Sequence, residues 1–150
     1  MADVFRKLNL KNHRAITVIG APPSFEPELR TLANVAIRRK LDARAPLNFL
    51  IAFVTKQTEV ERLSKAVAAR AEGDAIVWFA YPKGTSKNYK SAINRDSGWD
   101  GLRRAGFEPV RMIAIDADWT AVRFRRVEFI KVMTRKPRPP AAADADPARR

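Results

Sequence analysis

Two apolar runs separated by one amphipathic segment constrain the fold of this chain more than any other feature. The runs are "LNFLIAFVT" at 47–55 and "AIVWFAY" at 75–81. Neither alternates polar with apolar residues, which is typical of parallel strands covered on both faces. Both are far shorter than the roughly 20 apolar residues that a membrane-spanning helix needs. They therefore predict a buried, mostly parallel sheet and no membrane partner.

The segment between these two strands predicts a helix. Thr58 and Glu61 match the Thr-x-x-Glu capping box that marks a helix N-terminus. Gly73 lies just past the predicted end, where a left-handed residue is favoured. The apolar stripe at helical spacing consists of Val60, Leu63, Val67 and Ala71.

Shorter elements complete the predicted order. "AITVI" at 15–19 and "ANVAIRRKL" at 33–41 read as a short strand and a weaker one. Asp96 or Ser97 is expected to cap a second helix over 97–105. "FEPVRMIAID" and "TAVRFRRVEFI" then predict an antiparallel hairpin joined by "ADW". The fold class that follows is a three-layer α/β sandwich, Rossmann-like, whose mostly parallel sheet ends in an antiparallel β-hairpin.

Length and charge bound the domain organisation. The 150 residues fit a single α/β domain over 1–134, followed by a Pro/Ala-rich basic tail over 135–150 that is expected to be disordered. The formal net charge is +13, of which the tail supplies +3 through five basic and two acidic residues. The remaining +10 on the folded part favours polyanionic partners such as phosphorylated ligands or nucleic acid.

Composition also excludes several chemistries. The chain has no cysteine, so disulfides, thiolate nucleophiles and cysteine-based zinc sites are excluded. Its first residues contain no apolar stretch typical of a signal peptide, which together with the missing cysteines favours a cytoplasmic location. The pattern favours a binding protein over an enzyme, with no cofactor and no metal, and leaves the oligomeric state open.

Three segments carry a resemblance to known proteins. "WFAYPKGTSKNYK", "NRDSGWDGLRRAGFEPVR" and "IAIDADWTAVRFRRVE" resemble a family of small bacterial proteins of unknown function over roughly 8–134. The resemblance implies a bacterial α/β domain and brings no catalytic residues. Residues 75–128 are also similar in architecture to the C-terminal half of Rossmann-type methyltransferases. However, Pro22 and Pro23 stand where such enzymes carry a glycine-rich turn.

The loop after the second apolar run is the main candidate site. In open parallel sheets, ligands bind outside the carboxyl ends of the strands. The loops at 20–24, 55–56 and 82–97 should meet there, and the start of the 97–105 helix should point at the same edge. We expect an anionic, phosphate-containing small molecule at this edge. Its predicted ligands are Lys56, Lys83, Gly84, Thr85, Ser86, Lys87, Arg95, Ser97 and Gly98.

Two alternatives remain open. The first is nucleic-acid binding by outward-facing cations of the hairpin and tail, with Tyr89 and Trp119 available for base stacking. Those cations are Arg123, Arg125, Arg126, Lys131 and Arg135. The second is a methyltransferase-like enzyme that lacks the usual cofactor motif.

Catalytic side chains are sparse. His13 is the only histidine, and its place in the polar segment "KNHR" favours a surface or capping role over a general base. Asp116 and Asp118 lie two residues apart after a predicted strand, which could bind a cation but is more typical of turn formation. We therefore predict no catalytic residue.

Overall fold

The computed structural model describes residues 3–41, 45–94 and 97–130, so the proposed 135–150 tail lies outside it. The strands are β1 (Ala15–Ile19), β2 (Ala36–Arg38), β3 (Leu47–Phe53), β4 (Ala71–Pro82), β5 (Phe107–Ala114) and β6 (Trp119–Arg126). The α-helices are α1 (Asp3–Lys7), α2 (Glu26–Leu29), α3 (Gln57–Arg70) and α4 (Asp100–Arg104). Short 3-10 turns cover Pro23–Phe25 and Val127–Phe129.

The strands form one six-stranded sheet in the order β2-β1-β3-β4-β6-β5. β2, β1, β3 and β4 pair in parallel, and β6 is antiparallel to both of its neighbours. The predicted fold class, with a mostly parallel sheet and a closing hairpin, is thereby confirmed. None of the helices in the described part of the chain is long and apolar enough to span a bilayer.

Both faces of the sheet are covered at residues 49–53 of β3 and 75–81 of β4, which is why these stretches are apolar without alternation. On one face, Leu50, Val77 and Phe124 pack with α3 and α4. On the other, Ile51 and Trp78 pack with α1, α2 and the turn before α2. The indole N–H of Trp78 donates to the Leu8 carbonyl at 2.8 Å, so this buried donor is satisfied.

The start of α3 differs from the prediction. The helix begins at Gln57, and Glu59 takes the capping role that we assigned to the Thr58–Glu61 pair. Its carboxylate accepts hydrogen bonds from the backbone N–H groups of Thr55 (2.8 Å) and Lys56 (3.1 Å). Glu59 takes this role because its carboxylate reaches the free N–H donors of the turn after β3. Thr58 is already the second residue of the helix and therefore does not precede its start.

The end of α3 also differs, since Gly73 does not terminate the helix. The helix ends at Arg70, and β4 begins directly at Ala71. Leu47 pairs with Ala71 and Phe49 with Ile76, so β4 advances five residues while β3 advances two. Gly73, with φ +54°, lies in this bulge. The left-handed conformation was recognised correctly but placed in the wrong element.

The second helix is shorter than predicted. α4 covers only Asp100–Arg104, Trp99 precedes it without a side-chain capping bond, and Ser97 lies outside the helix. Asp96, the other predicted cap, falls outside the described residues. Gly106, with φ +92°, follows the end as expected.

Candidate anion-binding rim at the carboxyl edge of the sheet

The exits of β1, β3 and β4 lie at one edge of the sheet because these strands are parallel. We call residues 20–24, 55–56 and 82–98 the carboxyl rim, of which residues 95–96 are not described. The N–H of Val54 donates to the Ala80 carbonyl at 2.8 Å, and the N–H of Ala92 donates to the Thr55 carbonyl at 2.9 Å. The loop after β4 therefore folds back over the end of β3, which brings the predicted segments 55–56 and 83–98 together.

Asp118, in the turn between β5 and β6, holds this loop. Its carbonyl accepts from the Lys83 N–H at 2.7 Å. Its carboxylate accepts from the Ser86 hydroxyl at 2.8 Å and from the Asn88 side-chain amide at 3.1 Å. The Ser86 oxygen in turn accepts from the N–H groups of Asn88 and Tyr89. Ser86 thus anchors the loop, and its hydroxyl proton is not directed at solvent.

Asp116 makes the turn that the sequence favoured for it. One oxygen accepts from the N–H groups of Asp118 (2.8 Å) and Trp119 (2.9 Å). The other accepts from the Ser24 hydroxyl at 3.0 Å. The hairpin turn is therefore bonded to the loop after β1 as well as to the loop after β4. No local pattern signals these bonds, since Ser24 and Asp116 are 92 residues apart.

Three lysines of the carboxyl rim, Lys56, Lys83 and Lys87, carry charge that no ion pair in the described part of the chain neutralises. Lys56 and Lys87 are exposed, and Lys83 is half-exposed. Among the described residues, none of the three forms an ion pair. Gly84 and Thr85, in the turn closed by the Ser86 N–H and the Lys83 carbonyl at 3.0 Å, are also exposed.

Three further predicted ligands are Ser97, Gly98 and Arg95. The N–H of Ser97 donates to the Asn94 side chain at 3.0 Å, and Ser97 itself is exposed. Gly98 is buried with φ +101°, and a Cβ there would lie 3.0 Å from Ile93. Gly98 is therefore required by packing. Arg95 falls outside the described residues.

The starts of the two nearby helices are already complemented by acidic side chains. The α3 start is occupied by the Glu59 carboxylate described above. α4 is five residues long and carries Asp100 in its first turn. An acidic residue there already complements the helix dipole. The electrostatics of the carboxyl rim therefore depend on lysine side chains.

Aromatic side chains fill the sheet edge beneath the rim. Phe25 packs on Phe53 (ring centroids 5.0 Å apart), Phe53 on Trp119 (5.2 Å), and Trp119 on Tyr89 (5.0 Å). Phe25 and Trp119 are buried, so Trp119 is not available for base stacking.

The arginines of the nucleic-acid alternative separate into different roles. Arg126 donates to the carbonyls of Ala68 (3.1 Å) and Ala71 (3.0 Å), where it caps the end of α3. Arg125 makes a two-pronged ion pair with Asp74. Arg123 is half-buried on the same face as Arg125. Lys131 and Arg135 lie outside the described residues.

The amino edge of the sheet carries an open groove of about 750 Å³ that the sequence did not reveal. His13 lies on one wall, edge-on to Phe49 at 5.3 Å, and its Nδ1 accepts from the Lys11 N–H at 3.2 Å. Burial lowers the pKa of His13 below its ordinary value. Glu72 and Asp74, exposed by the β4 bulge, form part of the opposite wall.

Comparison with solved structures identifies the fold of this chain. No protein-family model matches the chain, and no curated protein matches it. A SAM-dependent methyltransferase from Aquifex aeolicus superposes with a TM-score of 0.56 at 14% identity, over 83% of this chain and 88% of that one. Ribosomal protein L11 methylase from Lactobacillus delbrueckii subsp. bulgaricus gives 0.51 at 9% identity, over 81% and 76%. N-methyltransferase NodS from Bradyrhizobium japonicum, in complex with S-adenosyl-L-homocysteine, gives 0.50 at 10% identity, over 81% and 71%. At such low identity the likeness is one of architecture, and it confirms a Rossmann-like, methyltransferase-type α/β fold.

Proposed function

We propose that this protein is a Rossmann-like binding domain that holds a phosphate-containing ligand on the carboxyl rim. Lys56, Lys83 and Lys87 supply the charge, and Gly84 and Thr85 supply an exposed N–H and a hydroxyl. The observation that carries the proposal is the anchored loop after β4, whose lysines have no ion pair in the described part of the chain. Rossmann-type sheets bind their ligands at this edge.

The anchoring of the loop favours binding. A free lysine loop would lose backbone entropy on gripping an anion, at about 1–2 kcal/mol per residue ordered. Here Asp118 and the Thr55 carbonyl already fix residues 83–92. The remaining cost is that of the lysine side chains. An anion on this loop therefore meets a backbone that is already ordered.

The test is a titration of the full chain with adenosine triphosphate, followed by calorimetry and by the thermal midpoint. A ligand that binds only the native state raises the thermal midpoint. At a free ligand concentration of 100 times Kd it adds about 2.7 kcal/mol to the free energy of unfolding. We expect the double variant Lys83→Gln/Lys87→Gln to weaken binding by at least about tenfold. Lys65→Gln on α3 removes a similar exposed charge from another face and should bind like the native protein. Equal weakening in both variants, or no binding by the native chain, would refute the proposal.

A methyltransferase activity is the second candidate, and the Aquifex aeolicus superposition over most of both chains supports it. Two features oppose a conventional cofactor site. Pro22 and Pro23 replace a glycine-rich turn, and Phe25, two residues after Pro23, is fully buried against Phe53. S-Adenosylmethionine in a thermal-shift assay separates the candidates. A raised midpoint supports the enzyme, and an unchanged midpoint at millimolar ligand rejects it.

A further inference from the structure

The face of the β5–β6 hairpin that lies away from α3 and α4 carries a cluster of arginines. Arg111 on β5 is directly opposite Arg123 on β6, and Arg125 lies two residues further along the same face. Like charges in directly opposed cross-strand positions destabilise a sheet. The arrangement is therefore unfavourable unless an anion lies between them.

Arg123 has an unsatisfied donor. Its Nε is buried and has no hydrogen-bond partner in the described part of the chain. Burial lowers the pKa of Arg123, as do the neighbouring charges of Arg125 and Arg111, while Asp74 acts in the opposite direction. A buried donor without a partner in a native structure calls for a physical explanation, and an unseen ion is one such explanation.

The carboxylates of this face lie at its other end. Asp74 is bound to Arg125 through both of its oxygens. Glu108 is also opposite Arg125 in the strand register, and it forms no ion pair with any described residue. Neither Arg111 nor Arg123 forms an ion pair with a described residue, and the nearest counter-charge of Arg123, Asp74, is already bound to Arg125.

We propose that Arg111 and Arg123 bind a phosphate group, either of a small phosphate compound or of a nucleic-acid backbone. Their Cβ atoms should be about 4.5–5.5 Å apart across the ladder. Two guanidinium groups rooted this close can donate together to one tetrahedral oxyanion. Trp78, opposite Arg123, lies four residues before Pro82. That spacing is about 13 Å of strand, so this site is separate from the carboxyl rim.

The experiment uses the Lys83→Gln/Lys87→Gln background, in which phosphate should bind the rim at least about tenfold more weakly. Thermal midpoints of the background, of added Arg123→Gln and of added Arg111→Gln are measured in sodium phosphate and in sodium chloride of equal ionic strength. Arg62→Gln on α3 is the matched control, because Arg62 is exposed on another element. We expect Arg123→Gln to be at least as stable as its background in chloride, since it removes both the repulsion and the unsatisfied donor. In phosphate the background should gain stability, and either hairpin variant should reduce the apparent phosphate affinity by about tenfold or more.

Two results would overturn the proposal. One is an equal loss of stability for Arg123→Gln in both salts, which would make Arg123 a structural residue. The other is an unchanged phosphate response in Arg111→Gln, whose exposed side chain can be replaced without disturbing the fold.

A single-stranded RNA titration then identifies the source of the phosphate. Binding whose log–log salt slope falls by about one per arginine removed assigns it to a nucleic-acid backbone. A response to phosphate alone assigns it to a small compound.

Discussion

The two edges of the sheet carry the same kinds of charged side chains and use them differently. At the carboxyl rim, Asp116, Asp118 and Glu59 accept hydrogen bonds from backbone and hydroxyl donors, and Lys56, Lys83 and Lys87 form no ion pair with any residue that the structure describes. Near the amino edge, Asp74 is instead bound to Arg125. The number of charges does not decide which cations are free to bind a ligand. The hydrogen bonds made by the neighbouring acids decide it.

The largest loss of stability is expected when the aromatic layer beneath the carboxyl rim is disrupted, which tests whether that edge is packed as described. Phe53→Ala should cost about 3–5 kcal/mol of unfolding free energy, because Phe53 is 6% exposed and contacts both Phe25 and Trp119. Urea unfolding measures it. Met112→Ala, at a position 41% exposed on β5, should change stability little. Similar losses in the two variants would mean that the edge beneath the rim is not packed as described.

The next largest loss of stability is expected from replacing Asp118, which holds the loop after β4 in place. Asp118→Ala removes the acceptor of the Ser86 and Asn88 side chains and should cost about 1–3 kcal/mol. It should also free the loop, so that trypsin cleaves after Lys83 and Lys87 faster than in the native protein. Asp100→Ala, an exposed acid at the start of α4, is the matched control. Cleavage at an unchanged rate would show that Asp118 does not hold the loop.

A smaller loss of stability is expected from breaking the Asp74–Arg125 ion pair near the amino edge of the sheet. Asp74→Asn should cost at most about 1 kcal/mol, because the Asp74 and Arg125 side chains are each about one third exposed. The loss should shrink as salt is added. Asp3→Asn breaks the far more exposed contact with Arg6 and should have no measurable effect. A salt-independent loss in Asp74→Asn would contradict an electrostatic role.

The smallest effect is the titration of His13. Its pKa is lowered by burial, so the unfolded chain binds a proton more readily than the native one. Stability should therefore fall as the pH drops below the ordinary histidine pKa, and recover as the pH rises. His13→Gln should remove this component from the difference between unfolding free energies at about pH 5 and about pH 7.5. An identical pH dependence in both proteins would exclude it.

The sheet was predictable because its signal is local. Residues 49–53 and 75–81 are apolar on both faces, and that pattern is typical of parallel strands covered on two sides. The helix boundaries were less predictable, since Glu59 and the Thr58–Glu61 pair offer competing caps within three residues of each other. Gly73 signalled a left-handed residue without saying whether a helix or a bulge would use it.

The candidate site was predictable only as a set of exposed cations. Lys83 and Lys87 lie in one loop and Lys56 in another, and the parallel strands carry both loops to the edge expected for ligands. The anchors were not predictable, because Ser86 and Asp118 are 32 residues apart and nothing in either segment specifies the partner. The roles of Arg125 and Arg126 likewise depend on Asp74 and on the end of α3, which only the folded chain brings near.

The position of β6 between β4 and β5 has a consequence for the order of assembly. Until residues 119–126 leave the ribosome, the edge of β4 has no hydrogen-bonding neighbour, and an open apolar edge of this kind invites aggregation. The same stretch brings Asp118 to the lysine loop. Ordering of that loop must therefore await the return of β6, so that the nascent domain completes its carboxyl rim late in folding.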